Sequence, residues 1–320
     1  MRHADISDVV YRKAPGTWRL YRCHQCEACY IDPRPTPTSI GKAYSDFYTH
    51  NAAPPPSASL LRRFNRAIRN GYINHRVKGA LRPSTWLGAW LVPFFPSKKR
   101  EMDFSLRCLP EIDSNKTVLD VGSGNGDFLE FAATLGWNVR GVEPDATAAA
   151  LARSRGLRID VGRFEEVDLP AASFDAITLC HVIEHFHDPV KVLAKAARLL
   201  KPGGLLWMAT PNTDSAGHLR FGKSWIGLDS PRHLVLFNSR ALLEALKRSG
   251  FEGNHRFLSG RSSRGDFLLS WKAANGLRPF EPHAIRFPMR LRIEAYLADL
   301  RNYRLPRTEG EIIFLGKKQA

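Results

Sequence analysis

The sequence predicts an α/β fold, a doubly wound and mostly parallel sheet, and three observations predict it. Between about Asn115 and Gly260, short apolar runs alternate with segments of helical spacing. Those runs are continuously apolar, as in strands covered on both faces. The first of them, Val118–Val121, leads straight into glycines at positions 122, 124 and 126. Right-handed crossovers wind such a chain into two helix layers about one sheet.

The elements follow in order. "GDFLEFAATLG" has helical spacing and a glycine stop, and "NVRGVEP" is a second strand. "DATAAALARSRG" is a helix with Asp145 as N-cap, where a carboxylate can accept from unpaired first-turn amides. "LRIDVG" is a brief third strand and "FDAITLC" a fourth. An Asp cap, a first-turn proline and closing glycines bound the helix in "DPVKVLAKAARLLKPGG". "LLWMATP", "SRALLEALKRSG" and "FEGNHRFLS" supply a fifth strand, a helix and a sixth strand.

Composition bounds the partners. The 320 residues carry 47 Lys plus Arg against 31 acids, which favours an anionic partner: nucleic acid, a phosphorylated ligand or a membrane surface. No apolar run reaches the roughly 18–20 residues of a spanning helix. Met1–Val10 is polar and charged, unlike a secretory signal, and the five cysteines (23, 26, 29, 108 and 180) are odd in number. A reduced, cytoplasmic setting is expected. The expected organisation is a cysteine-containing segment and linker at 1–56 and a basic helical cap at 57–113. The main domain then runs over 114–320, with an insertion at about 261–308 before the last strand.

The glycine turn selects a ligand class. Its spacing is G-x-G-x-G with Asp120 two residues earlier, not the G-x-G-x-x-G of nicotinamide-nucleotide folds. An acid is costly beside a diphosphate and suits an ammonium group. Glu143 ends the second strand, seventeen residues past Gly126, where a carboxylate can accept from both hydroxyls of a ribose. A ligand with a sugar, a cation and no phosphate fits S-adenosylmethionine better than NAD.

"VLDVGSGNGDFL", "VRGVEPD", "FDAITLCHVIEHFHDP", "LLKPGGLLWMATPN" and "PRHLVLFNSRALLEALKRSGF" together resemble the class I S-adenosylmethionine-dependent methyltransferases. The nearer likeness is to the bacterial branch related to quinone O-methyltransferases. It covers about Thr117–Phe257, and "EIIFLGKK" is similar to the family's last, antiparallel strand, which makes the expected sheet seven-stranded. The resemblance implies that Gly122, Ser123, Gly124, Asn125 and Gly126 wrap the methionine moiety, with Asp120 near its amino group. Glu143 would hold the ribose, Phe164 and Glu165 would flank the adenine, and Pro144 and Cys180 would complete the cofactor-binding set.

Methyl transfer is an in-line displacement, in which positioning alone supplies up to about 7–11 kcal/mol. Removing a proton from an acceptor hydroxyl adds typically 10²–10⁴-fold, and histidine suits the task. "CHVIEHFHDP" places His181, Glu184, His185 and His187 after the fourth strand, and "PRHLVLF" adds Arg232 and His233. His181, His185 and His233 are the catalytic candidates; the alternative is that the Glu184–His185 pair only pins the loop. H-x-x-E-H also spells an inverted zinc-protease motif, but that motif needs a long helix, and here it follows a strand directly. Related quinone O-methyltransferases hold a divalent metal with an acid-x-x-Glu-His set. His181 replaces that acid, although His181, Glu184 and His185 are themselves ligand types. Neither an Asn/Asp-Pro-Pro-aromatic stretch nor a Pro-Cys pair follows the fourth strand, which points to oxygen as the acceptor atom.

Two flanking features remain. "YRCHQCEACYIDPRP" resembles the second half of a zinc ribbon that precedes many members of this branch. Cys23 and Cys26 supply two of the four ligands of a closed zinc site, so a degenerate or truncated ribbon is expected; Cys29, His24 and His3 lie off ribbon spacing. Tyr44 and Tyr48 in "YSDFY" match a family segment that lids the cofactor. Leu60–Arg100 holds ten basic side chains and no acid, together with "WLGAWLVPFF". It reads as a helical cap over the active site, or as a peripheral contact to the inner membrane face. The expected activity is methylation of a hydroxyl on a small, sugar- or lipid-linked acceptor. An RNA or protein substrate, or a non-catalytic cofactor-binding module, is the alternative, but no nucleic-acid-binding module is evident.

Overall fold

The computed structural model describes residues 1–44, 59–110, 115–258, 260–282, 286–304 and 308–319. The linker "NAAPPPSA" and Tyr48 lie outside them. Two compact units emerge: Met1–Asp46 with Cys180–Ala194 and Met208–Phe314, and Phe47–Leu179 with Lys195–Trp207 and Leu315–Ala320.

In the first unit, β1 (His3–Ile6), β2 (Trp18–Arg22) and β3 (Cys29–Asp32) form an antiparallel meander. Alternate residues of β2 and β3 are buried, the period a half-covered strand requires. Strand β9 (Val235–Leu236) joins the edge, with Cys29 opposite Leu236. Ile6, Trp18, Leu20, Cys29 and Ile31 pack there with Trp225, Leu228, Leu234 and Leu236. Cys29 is therefore a core residue, its side chain fully buried. Cys23 and Cys26 sit in the β2–β3 turn, closed by Cys23 N–H to the Ala28 carbonyl at 2.9 Å. Among the described residues, no three ligand side chains converge on these cysteines.

The second unit opens with α1 (Leu60–Val77), α2 (Leu87–Leu91) and α3 (Pro96–Ser105). Helices α1 and α2 touch backbone to backbone. A Cβ at Gly88 would overlap the Ile68 carbonyl, and one at Gly71 the Thr85 carbonyl, so only glycine permits the approach. Tyr72, Ile73 and Val77 of α1, with Val92 and Leu106, then pack on Val118, Ala132, Trp137 and Ala176.

The main sheet has the order β10-β11-β8-β7-β4-β5-β6. Its strands are β4 (Thr117–Val121), β5 (Asn138–Glu143), β6 (Ile159–Val161), β7 (Phe174–Cys180), β8 (Leu200–Pro211), β10 (Gly253–Leu258) and β11 (Glu311–Lys318). The β4–β5, β4–β7 and β5–β6 pairs are parallel. From β4 the order runs outward through β5 and β6 on one side and returns through β7 on the other. That reversal falls between β4 and β7, and doubly wound folds bind ligands at the carboxyl ends of the strands beside such a point. The helices are α4 (Asp127–Thr134), α5 (Ala146–Ser154), α6 (Pro189–Leu199), the short α7 (Ala216–Phe221) and α8 (Ser239–Arg248). Asp145 caps α5 as expected, accepting from Thr147 N at 2.8 Å and Ala148 N at 2.9 Å.

Two elements depart from the sequence reading. Strand β8 begins at Leu200 and takes in "KPGG", which the sequence assigns to a helix stop. Lys318 Nζ donates to the carbonyls of Ala197 and Leu200, so a side chain rather than the glycines satisfies the end of α6. The stretch after Arg261, read from the sequence only as an insertion before the last strand, holds α9 (Ser263–Ala274) and α10 (Met289–Arg304). Phe267 packs there with Phe287, Leu291, Ala295 and Ala298. Met289, Ile293, Tyr296, Leu297 and Leu300 of α10 are exposed, so apolar residues occur on both faces and mask the helical period.

Candidate functional site

The glycine turn follows β4. Gly122, Gly124 and Gly126 all adopt positive φ (69°, 55° and 85°), a conformation side-chain-bearing residues rarely take. The Gly122 and Ser123 amides both reach the Val142 carbonyl, fastening the turn to β5. Glu143, at the end of β5, reaches back. Its Oε2 accepts from Gly124 N at 2.7 Å and its Oε1 from Asp145 N at 3.0 Å. Burial raises the Glu143 pKa while these two amides oppose it. Asn125 donates to Asp127, and Pro144 is exposed.

Asp120 is almost fully buried and carries a partner that sequence reasoning missed. Arg107 pairs with its Oδ1, which also accepts from Thr178 Oγ1 at 2.7 Å. The Arg107 guanidinium lies 3.6 Å from the Phe128 ring centroid and 5.6 Å from that of Trp207. Burial raises the Asp120 pKa; Arg107 and Thr178 pull it down. Asp120 Oδ2 and Ser123 Oγ are buried without hydrogen-bond partners among the described residues. Unmet buried polar atoms beside a glycine turn suit a ligand with polar groups of its own. Arg107 stands thirteen residues before Asp120 in no recognisable motif, so only the fold reveals it.

After β6, Phe164 is buried with Lys195 Nζ 5.1 Å from its ring, and Glu165 pairs with Arg163 at 3.1 Å. Cys180 is a free thiol at the end of β7.

The first unit gathers the histidines. His181, with φ +54°, places its imidazole between two carboxylates: Nδ1 is 3.5 Å from Glu184 Oε1 and Nε2 is 3.1 Å from Glu311 Oε2. Burial alone would lower the His181 pKa, but the bonds to Glu184 and Glu311 outweigh it and raise it to about 10. Glu184 and Glu311 are each lowered to about 2: His181 outweighs their burial, helped by His233 and His185 at Glu184 and by Arg261 at Glu311. His181 is thus held as a cation.

His185 and His233 differ. His185 Nδ1 lies 3.0 Å from the Arg232 carbonyl and 2.9 Å from Tyr44 Oη; His233 Nδ1 lies 2.8 Å from the Gly227 carbonyl. A carbonyl only accepts, so each Nδ1 carries a proton. Burial, with His233 nearby, lowers the His185 pKa to about 4. The rings meet edge to face at 4.7 Å. One ligand atom each from Glu184, His185 and His233 lies within 4.8 Å of the others, a spacing that can hold a cation. The sequence proposed His181 with Glu184 and His185; the structure brings His233 to that pair and gives His181 to Glu311.

The remaining predicted polar residues brace this cluster. Arg232 is fully buried, with Nη2 2.6 Å from both Asp8 Oδ1 and Asp229 Oδ1, and it also donates to the Ala43 carbonyl. His187 Nε2 donates to the Pro35 carbonyl at 2.8 Å. Asp229 belongs to no quoted motif, Glu311 opens the last-strand run without being singled out as a site residue, and Asp8 lies 224 residues from its partner.

Comparison with known proteins bears on the same residues. Residues 97–255 match the family described as "Methyltransferase domain". A protein of Mycolicibacterium smegmatis, "Probable S-adenosylmethionine-dependent methyltransferase", is 31% identical over 141 residues, 43% of this chain and 53% of that one. The "Ubiquinone biosynthesis O-methyltransferase" of Xanthomonas oryzae pv. oryzae is 40% identical over 106 residues, 31% of this chain and 44% of that one. The chain spans about half the length of the curated relatives it matches. Among solved structures, Haemonchus contortus phosphoethanolamine N-methyltransferase 2 in complex with S-adenosyl-L-methionine aligns at 20% identity and TM-score 0.47. That alignment covers 68% of this chain and 52% of that one.

Proposed function

We propose that this chain, whose residues 97–255 match the family described as "Methyltransferase domain", is an S-adenosylmethionine-dependent methyltransferase that methylates a hydroxyl of a small, sugar- or lipid-linked acceptor. Bound cofactor supplies a methyl group already activated by a sulfonium. The residues fit it. Asp120 and Arg107 offer a carboxylate and a guanidinium, types that match the ammonium and carboxylate of an amino-acid end. Glu143 offers carboxylate lone pairs to a ribose diol, and the glycine turn lets the ligand approach the backbone. Phe164 and Glu165 would border the adenine.

The observation that carries oxygen methylation is the imidazole of His185, whose lowered pKa keeps it neutral. A proton acceptor must be neutral beforehand, which favours His185 over the cationic His181. Glu184, ionised between them, would stabilise the imidazolium that forms. The 4.8 Å convergence favours a second reading, in which Glu184, His185 and His233 hold a divalent cation that binds the acceptor oxygen. Incubation with methyl-labelled cofactor and a cell extract tests the activity. Label should appear on an alkali-stable methyl ether, and Glu143→Ala or Asp120→Ala should weaken cofactor binding in calorimetry. Label on protein, on RNA or nowhere counts against the proposal. Insensitivity to chelator, with no metal in the purified protein, removes the cation reading.

A further inference from the structure

Trp86, Trp90, Phe94 and Phe95 are 75%, 61%, 70% and 58% exposed. Lone exposed apolar residues are ordinary; four large aromatics within ten positions are not. The helix geometry shows that they form one ridge. Gly88 and Val92 turn inward, Gly88 against the Ile68 carbonyl and Val92 into the core with Leu106 and Val118. Trp86, Trp90 and Phe94 are offset from that inward pair by two positions, about half a helical turn, and so point outward together. Trp90 and Phe94 meet edge to face at 5.7 Å.

The segments on either side of this ridge are predominantly basic. Residues 60–100 hold ten Lys or Arg and no acid. Arg62, Arg63 and Arg66 on the exposed first turns of α1 form no ion pair among the described residues, and Leu60, Leu61 and Phe64 beside them are 82%, 68% and 54% exposed. Lys98 and Lys99 follow the ridge directly and pair with Glu101 and Asp103.

We propose that the Trp86–Phe95 ridge, with the cations of α1, docks this unit onto an anionic lipid bilayer. Indole and phenyl rings settle at the headgroup boundary, and arginines are drawn to the negative surface potential. Charge complementarity selects this occupant. A second copy would bring the same positive stripe against itself, and RNA would use the arginines but leave an outward aromatic ridge in water. The inference does not depend on the methyl-transfer reading.

Cosedimentation of the full chain with vesicles tests it. Phosphatidylcholine mixed with phosphatidylglycerol should carry the protein down, pure phosphatidylcholine should not, and added salt should release it. Insertion should shift tryptophan emission to shorter wavelength. The triple variant Trp86→Ser, Trp90→Ser, Phe94→Ser should weaken vesicle binding roughly tenfold or more while keeping its unfolding transition. Should that variant misfold, Arg62→Gln with Arg63→Gln and Arg66→Gln tests the electrostatic half alone. Three results overturn the proposal: vesicle binding unchanged in these variants, no binding of the parent chain to anionic vesicles, or loss of self-association as the only change.

Discussion

At the scale of single residues, pH is the most direct probe of the histidine cluster. His181 has a folded pKa of about 10 against an ordinary 6.5. Being raised, it contributes stability that is complete below 6.5 and lost as pH climbs through about 10. His185 is lowered to about 4, so the folded state binds fewer protons than the unfolded one, and stability falls as pH drops from 6.5 through about 4. Glu184 and Glu311, depressed to about 2 from 4.5, contribute above 4.5 and fail as pH falls through about 2. Thermal unfolding should therefore peak near pH 6.5, and His181→Gln should flatten the alkaline limb while leaving the acid limb in place. A wild-type midpoint that keeps rising above neutrality would contradict the clamped imidazolium. Sequence alone names His181, Glu184, His185 and His233 but not which of them is charged. That depends on Glu311, 130 residues downstream, and on Arg232, held by Asp8.

At the scale of elements, local signals read well where a single residue type decides the conformation. Asp145 caps its helix as its position promises, and the buried strands from Val118 to Cys180 fall where continuous apolar runs place them. Signals fail where a distant group decides. Lys318 ends α6, so the glycines at 203 and 204 are free to enter β8, and α10 hides its period by leaving apolar residues in solvent. The α1–α2 crossing is another distant effect, invisible until Gly71 and Gly88 are seen against backbone carbonyls. Gly88→Ala should force the two helices apart and cost about 1–3 kcal/mol. Urea unfolding should show the lower midpoint, and Gly265→Ala, where a Cβ meets nothing within 4 Å, is the matched control within an exposed helical turn. Equal midpoints for both variants would show that the crossing bears no load.

At the scale of the whole molecule, the sequence divides the chain in linear order, whereas the folded chain interleaves its units. Residues 1–46 group with 180–194 and 208–314, in part because β9 completes the N-terminal sheet. Long-range pairing of that kind leaves no local trace. Ligand choice is the property of the whole fold that one measurement can test. The sequence argument against a dinucleotide rests on Asp120 as an unpaired acid, and Arg107 cancels much of that charge. What still separates the two ligands is Glu143, fixed by the Gly124 and Asp145 amides, and the G-x-G-x-G spacing. A ligand that binds only the folded state stabilises it by mass action, about 2.7 kcal/mol at a hundred times its Kd. At roughly 2–4 °C per kcal/mol for a domain of 150–250 residues, the midpoint should rise by several degrees with S-adenosylmethionine. It should not rise with NAD at the same concentration, because a diphosphate would meet the Glu143 carboxylate held against the turn. Arg107→Ala should lower the cofactor-free midpoint, since it strands a buried acid, and Glu143→Ala should abolish the cofactor-induced rise. A midpoint that responds to NAD and ignores S-adenosylmethionine would overturn the cofactor assignment, whatever activity the chain later shows.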